Sequence, residues 1–371
     1  MAEQPAIIQL LRSLPGELAA VAPTLEGINW SELTRDAGRH GMSGLVRHAL
    51  EMMGAPIPEK AQETLQRDGR AIAADTLRVK MLLLRVLDAL GRQRVTPILL
   101  KGYGLSARYY PAPLLRAASD VDLLANPDDY AKAEKALIDL GLERLREESP
   151  QENRKDHHEP RFWGHEKWFG GEAGLVELHW RPLSGFGTAL SVREAFSRAR
   201  AAELENRPVL YMSPEDEVVY LAAHAAKHLL GRLGWLYDIK LILSAERSLD
   251  WDLICRIARE SEMSAPVYFA LEAAQRTLAA EVPLSTLESL KPTRWQRALG
   301  REIFSAAQLA ASPFFNRNYA TYVLRILLSS NYRRMAIGCV SLADQMSRHI
   351  WQHHLPRLIQ KTASSLHLRA I

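Results

Sequence analysis

Asp120 and Asp122 stand two residues apart in the run Ser119-Asp120-Val121-Asp122-Leu123-Leu124. Acid and apolar residues alternate there, which is the period of a β-strand whose successive side chains point to opposite faces, so both carboxylates share one face. At a rise of about 3.3 Å per residue they lie roughly 7 Å apart along the backbone. Left alone, two such charges repel and resist ionisation, and a cation between them removes that penalty. Ligands that are all oxygen favour a hard ion, Mg²⁺ or Mn²⁺. A bare D-x-D is also what a solvated strand face looks like, and the residues upstream separate the two readings.

Upstream, Pro97-Ile98-Leu99-Leu100 is an apolar, strand-like run that breaks at Lys101-Gly102-Tyr103-Gly104, and a helix-length segment then leads to Arg116 and the acids. Gly102 and Gly104 let a backbone approach phosphate closely, with amides exposed at the start of a helix whose dipole favours an anion. Lys101, a point charge, and Arg116, a bidentate donor, are cationic candidates for clamping a triphosphate. Ion pairing to the aspartates is the equal alternative for both.

Strand, Lys-Gly turn, helix, arginine and S-D-V-D-L-L together resemble the active-site signature of the DNA polymerase beta-like nucleotidyltransferases, and within them a bacterial branch of uncharacterised nucleotidyltransferases. The resemblance runs from about Leu99 to Trp180 and more loosely to about Trp251. It implies a glycine turn that holds the triphosphate, two strand carboxylates that bind metal, and a third carboxylate from a neighbouring strand. Gly174-Leu175-Val176-Glu177-Leu178-His179-Trp180 resembles the branch's E-x-H-W element, which makes Glu177 the third acid, with Asp156, Glu159 and Glu172 as rivals. Asp120, Asp122 and Glu177 are then the expected catalytic residues and metal ligands. Lys101, Gly102, Gly104, Arg116 and Ser119 are the expected nucleotide-binding set. The chain departs from the superfamily's Gly-Ser pair at Tyr103, so a serine contact to phosphate does not carry over.

The implied reaction moves a nucleoside monophosphate from an NTP, ATP among them, to an acceptor hydroxyl and releases pyrophosphate. Two Mg²⁺ (or Mn²⁺) ions about 3.5 to 4 Å apart would serve it, with Glu177 as a candidate acceptor for the proton of the attacking hydroxyl. No motif chooses among an RNA end, a small molecule and a protein as acceptor. The alternative is a catalytically silent NTP-binding or partner-binding protein; a metal-bearing structural sheet is a weaker third. His179 shares the face of Glu177 and either touches substrate or orders the site. His224 and His228, four apart on a helix, could bind zinc, but no H-E-x-x-H pattern supports it and packing is the better reading. Trp163, Trp168, Phe169 and Trp180 fit core packing better than base stacking.

These residues need a scaffold, and 371 residues with 47% hydrophobic and 24% charged composition supply an ordinary globular one. The expected class is α+β: a small mixed sheet flanked by helices, with a helical N-terminal segment over 1–92, a core over 93–212 and a larger helical domain over 213–371. Ala61 to Leu90 repeats apolar residues at helical spacing. Asn126-Pro127 starts a helix that runs to Leu140 and ends at Gly141. Arg161–His165 and Lys167–Phe169 are expected as a strand pair. Ser213-Pro214-Glu215-Asp216 caps a helix running to Gly231, and Trp235–Leu243 is the next one. Breaks fall near Pro266, Pro283, Pro292, Pro313 and Pro356. Gly102-x-Gly104 lacks the third glycine of a dinucleotide fingerprint.

The two cysteines, Cys255 and Cys339, fit neither a disulfide framework nor a zinc site, and the N-terminal stretch is unlike a signal peptide. No window reaches the length of a transmembrane helix. A cytoplasmic location is expected. From Phe304 onward eight basic residues, Arg317 to Arg369, face the single acid Asp344. That surface suits an anionic partner, or is simply a set of solvated helix faces.

Overall fold

The computed structural model describes residues 5–14, 27–145, 165–171, 174–183 and 190–305, together with Leu309 and Leu328. Four helices come first: α1 (Ala6–Arg12), α2 (Trp30–Arg39), α3 (Ser43–Met52) and α4 (Glu59–Arg92). The mixed region follows as β1 (Ile98–Leu99), α5 (Tyr103–Tyr109), β2 (Asp120–Leu124), α6 (Tyr130–Asp139), β3 (Glu143–Arg144), β4 (His165–Phe169), β5 (Leu175–His179), α7 (Val192–Arg198), β6 (Arg200–Leu204) and β7 (Arg207–Tyr211). Helices α8 (Pro214–Lys227), α9 (Leu233–Ala245), α10 (Trp251–Glu260), α11 (Ser264–Leu278), α12 (Leu284–Leu290) and α13 (Arg294–Ile303) complete the described part. The class is α+β, as the sequence predicts.

The seven strands form one mixed sheet in the order β3-β4-β5-β2-β1-β7-β6. β2 lies antiparallel to β1 and parallel to β5, while β1 runs parallel to β7. Both sheet faces are covered, which is why β2 is apolar or buried on nearly every residue. One face carries Leu99, Val121, Leu123, Val176 and Val209 against α4 and α6. The other carries Ile98, Leu100 and Leu124 against the C-terminal helices. Asp120 and Asp122 alternate with the first set and so point towards the second.

That second core is shared. α1, α2 and α3 bury Ile7, Ile8, Leu11, Leu33, Leu45 and Leu50 in the same cluster as α8, α9 and α11. Lys240, buried on α9, donates its ammonium to the carbonyls of Leu11 (2.9 Å) and Arg12 (2.7 Å) at the end of α1.

Several boundaries differ from the sequence reading for local reasons. Pro127–Asp129 forms a 3₁₀ turn, capped by Asn126, and α6 begins only at Tyr130. α8 starts as expected, its Ser213 hydroxyl accepting from the Asp216 amide. It stops at Lys227 rather than Gly231, because Leu229 (φ +58°) and Leu230 (φ +52°) adopt the left-handed region and turn their side chains into the core. Lys167–Phe169 belong to one strand, β4, which runs antiparallel to both β3 and β5. Arg161 to Gly164 lie outside the described residues. β6 and β7 form a hairpin through Glu205 (φ +49°) and Asn206 (φ +61°), the left-handed pair of a type I′ turn. Pro266 sits within the first turn of α11 rather than at a break. Among the described residues no helix is long and apolar enough to cross a membrane. Asp156, Glu159, Trp163, Glu172, Cys339 and the basic run from Arg317 to Arg369 lie outside them.

Candidate active site

The parallel pairing of β2 and β5 sets Asp122 directly beside Glu177 and Leu124 beside His179. Because side chains alternate, Asp120, Asp122, Glu177 and His179 all project from one face at neighbouring positions. His179 Nε2 lies 3.2 Å from Asp122 Oδ1 and 3.6 Å from Glu177 Oε2. Asp122, Glu177 and His179 each offer a ligand atom within 4.8 Å of the others. Ligands about 2.1 Å from an ion lie at most about 4.2 Å apart, so small rotations close this set around one. Two carboxylates and an imidazole fit a divalent ion, and the nitrogen moves the preference from Mg²⁺ towards Mn²⁺.

Asp120 faces another partner. Lys101 Nζ donates to Asp120 Oδ2 (3.4 Å) and makes a close ion pair with Asp122 Oδ2. The lysine follows β1, and the backbone bond from the Leu100 amide to the Asp122 carbonyl (3.2 Å) holds that end of the strand against β2. Burial pulls the Lys101 ammonium down, but the charges of Asp122 and Asp120 more than offset it and its pKa is raised. Burial likewise lowers His179, and its hydrogen bonds to Asp122 and Glu177 outweigh that, leaving its pKa above 6.5. The Asp122 side chain is fully buried.

Two glycines shape the turn for different reasons. Gly102, at φ +72°, caps α5, and a side chain there would be strained and lie 3.4 Å from the Asp120 carbonyl. At Gly104 a Cβ would come within 2.9 Å of Leu99 Cδ1, so that glycine lets α5 pack on β1. Tyr103 is buried, with the Lys80 ammonium 5.5 Å from its ring centre. Ser119 donates to Asp120 Oδ1 (3.2 Å).

Arg116 is engaged elsewhere. Its guanidinium donates to Asp238 through Nε (2.9 Å) and an Nη (2.7 Å), a buried bidentate pair joined by the Tyr110 hydroxyl (2.8 Å). Thr76 of α4 donates to the Arg116 carbonyl (3.0 Å) and accepts from the Ala118 amide (3.3 Å). The segment entering β2 is thus tied both to α4 and to α9. Nothing in the sequence near Arg116 announces Asp238, although an acid inside the apolar run Leu236–Leu243 is itself a sign of a buried partner.

α8 faces the site, and its Tyr220, His224 and Lys227 feel the charges there. Tyr220 is pushed well above its usual range by burial and then by the charges of Asp122 and Glu177. His224 is lowered well below 6.5 by burial and by Lys101, and burial also lowers Lys227, which feels Glu177 and Lys101. His224, His228 and Trp235 pack their rings together, with centroids 4.8 to 5.5 Å apart. An open pocket beside them is lined by His40, Met42, Tyr110, Arg116, Trp235 and Asp238. Of the aromatic residues weighed for stacking, Trp168 is buried in the core behind the sheet and Trp180 sits edge-on to Tyr130.

Carboxylates on adjacent parallel strands, a glycine turn ahead of them and a helical layer in front are the features of a nucleotidyltransferase. Residues 26–279 match the family model described as uncharacterised nucleotidyltransferase, and the chain belongs to that family. It is therefore a transferase that moves nucleotidyl groups. Among solved structures, the antibiotic-resistance factor ANT(2'')-Ia is similar at 16% identity and a TM-score of 0.36, over 54% of this chain and 98% of that one. No curated protein matches the chain.

Proposed function

We propose that this chain transfers a nucleoside monophosphate from an NTP to an acceptor hydroxyl with the help of a divalent cation. The acceptor oxygen attacks the α-phosphorus, the bond from that phosphorus to the β-bridging oxygen breaks, and pyrophosphate leaves. Glu177 accepts the proton of the attacking hydroxyl. Asp122, Glu177 and His179 hold the ion, which supplies charge stabilisation at the reacting phosphate when bound. Lys101, with Ser119 and the turn at Gly102 and Gly104, lies on the triphosphate side. Arg116 supports them by fixing the segment that enters β2. The single observation carrying this reading is the register that sets Asp122 beside Glu177.

The three parts of the chain divide the labour in this proposal. Residues 93–212 hold the chemistry, and the described helices of 213–371, with α1 to α3 packed against them, shape the acceptor's entrance at the pocket beside Trp235. An RNA end, a small molecule and a protein side chain are all chemically suited as acceptors, and the basic residues beyond Arg317 favour an anionic one. A reaction that consumes NTP suits the cytoplasm. Tyr103, buried where the superfamily has a phosphate-contacting serine, is the observation that favours a silent NTP-binding protein instead.

The deciding experiment is pyrophosphate release from each labelled NTP with Mg²⁺ or Mn²⁺, offering RNA, protein and metabolite extracts. Release that disappears in the Asp120→Ala/Asp122→Ala double variant supports transfer, and the labelled extract names the acceptor class. Tight NTP binding without release in any extract supports the silent reading.

A further inference from the structure

Asp122 divides its two oxygens between two partners. Oδ1 meets His179, beside Glu177, while Oδ2 meets the Lys101 ammonium, which also reaches Asp120 Oδ2 at 3.4 Å. We infer that Lys101 is a built-in second cation of this centre, so that the protein holds one divalent ion, among Asp122, Glu177 and His179, where two would otherwise sit. The inference rests on the nucleotidyl-transfer reading for the identity of the ion.

Two observations carry it. Lys101 engages the very oxygens through which Asp120 and Asp122 would share a metal. Its side chain is 12% exposed, and withdrawing it would leave the fully buried Asp122 carboxylate without that ion pair. A lysine is a compact point charge that meets phosphate oxygens as an ion would, although it cannot lower the pKa of a bound water. Asp120 is then a positioning residue, acting through Lys101.

The test counts Mn²⁺ bound to the full-length chain without nucleotide, from the electron paramagnetic resonance signal of the free ion. The wild type is expected to bind one Mn²⁺. Glu177→Gln should weaken that binding by more than about 100-fold and Asp120→Asn by less than about tenfold. Lys101→Met, verified as folded by its melting transition, should admit a second Mn²⁺ whose coupling to the first broadens the spectrum. Two ions on the wild type would overturn the inference and leave nucleotidyl transfer standing. So would an Asp120→Asn loss equal to that of Glu177→Gln, a comparison that does not depend on Lys101→Met folding. A folded Lys101→Met that still binds one ion overturns it as well. A wild type that binds no Mn²⁺ overturns both the inference and the metal-dependent reading beneath it.

Discussion

His179 stands two residues beyond Glu177 on β5, and its raised pKa gives the site a pH dependence. His179 has its pKa raised above 6.5 by the two carboxylates, but it ligates a metal only when neutral, so ion binding expels its proton. Mn²⁺ affinity should therefore climb with pH just above 6.5, by at most about tenfold per unit, and level off once the ring is neutral. His179→Gln should show a flatter profile in the same titration. The sign reverses for the ion-free fold. The raised pKa stabilises it fully below 6.5, and that contribution is lost as pH rises through the folded value, as melting temperatures of wild type and His179→Gln would show. Glu177→Gln should lower kcat at least about 100-fold even at saturating Mn²⁺, because it removes both a ligand of the ion and the acceptor of the hydroxyl's proton. At this scale the sequence was informative about the acids, since strand alternation alone puts Asp120 and Asp122 on one face. It was less so about their partners, because alternation says which way a side chain points and not which atom it meets.

At the level of elements, α5 and β1 touch through Gly104, and Gly104→Ala forces a methyl against Leu99 and costs about 1 to 3 kcal/mol, read by denaturant unfolding. β2 is anchored to α9 by Arg116 and Asp238, and Arg116→Met strands a buried carboxylate at a cost of about 3 to 5 kcal/mol. Replacing both partners, Arg116→Met with Asp238→Leu, should recover most of that loss, and a double-mutant cycle measures how much. These elements differ in how they could be read beforehand. The caps of α8 and the apolar period of α4 are local patterns, so the chain spells them out. The Arg116–Asp238 pair spans 122 residues and the β1–β7 pairing joins strands from either side of the core, so no window contains both halves. The hairpin of β6 and β7 turns on Glu205-Asn206, which lacks the glycine that marks such turns.

The whole molecule has no independent front end. With Ile7, Ile8, Leu11, Leu33, Leu45 and Leu50 at most 1% exposed in a core shared with α8, α9 and α11, a chain lacking residues 1–58 should lose its cooperative melting transition. Calorimetry of the shortened and full-length chains checks this. The seam has its own pH signature at Lys240, which burial lowers to about 8. Above that value the folded state sheds a proton that the unfolded one keeps until about 10.5, so stability rises with pH across this window. Lys240→Met should lack that rise when the melting temperatures of the two are compared. The sheet is backed by one core and faced by another, and this separation matters for how such a protein changes over generations. Lys227, His228, Arg232 and Trp235 lie where α8 gives way to α9, on the side of the sheet that the acids face, while α4 and α6 brace the strands from behind. Substitutions on that side can accumulate without loosening the brace, so if the proposed acceptor enters there, selection can retarget the enzyme while its chemistry is inherited unaltered.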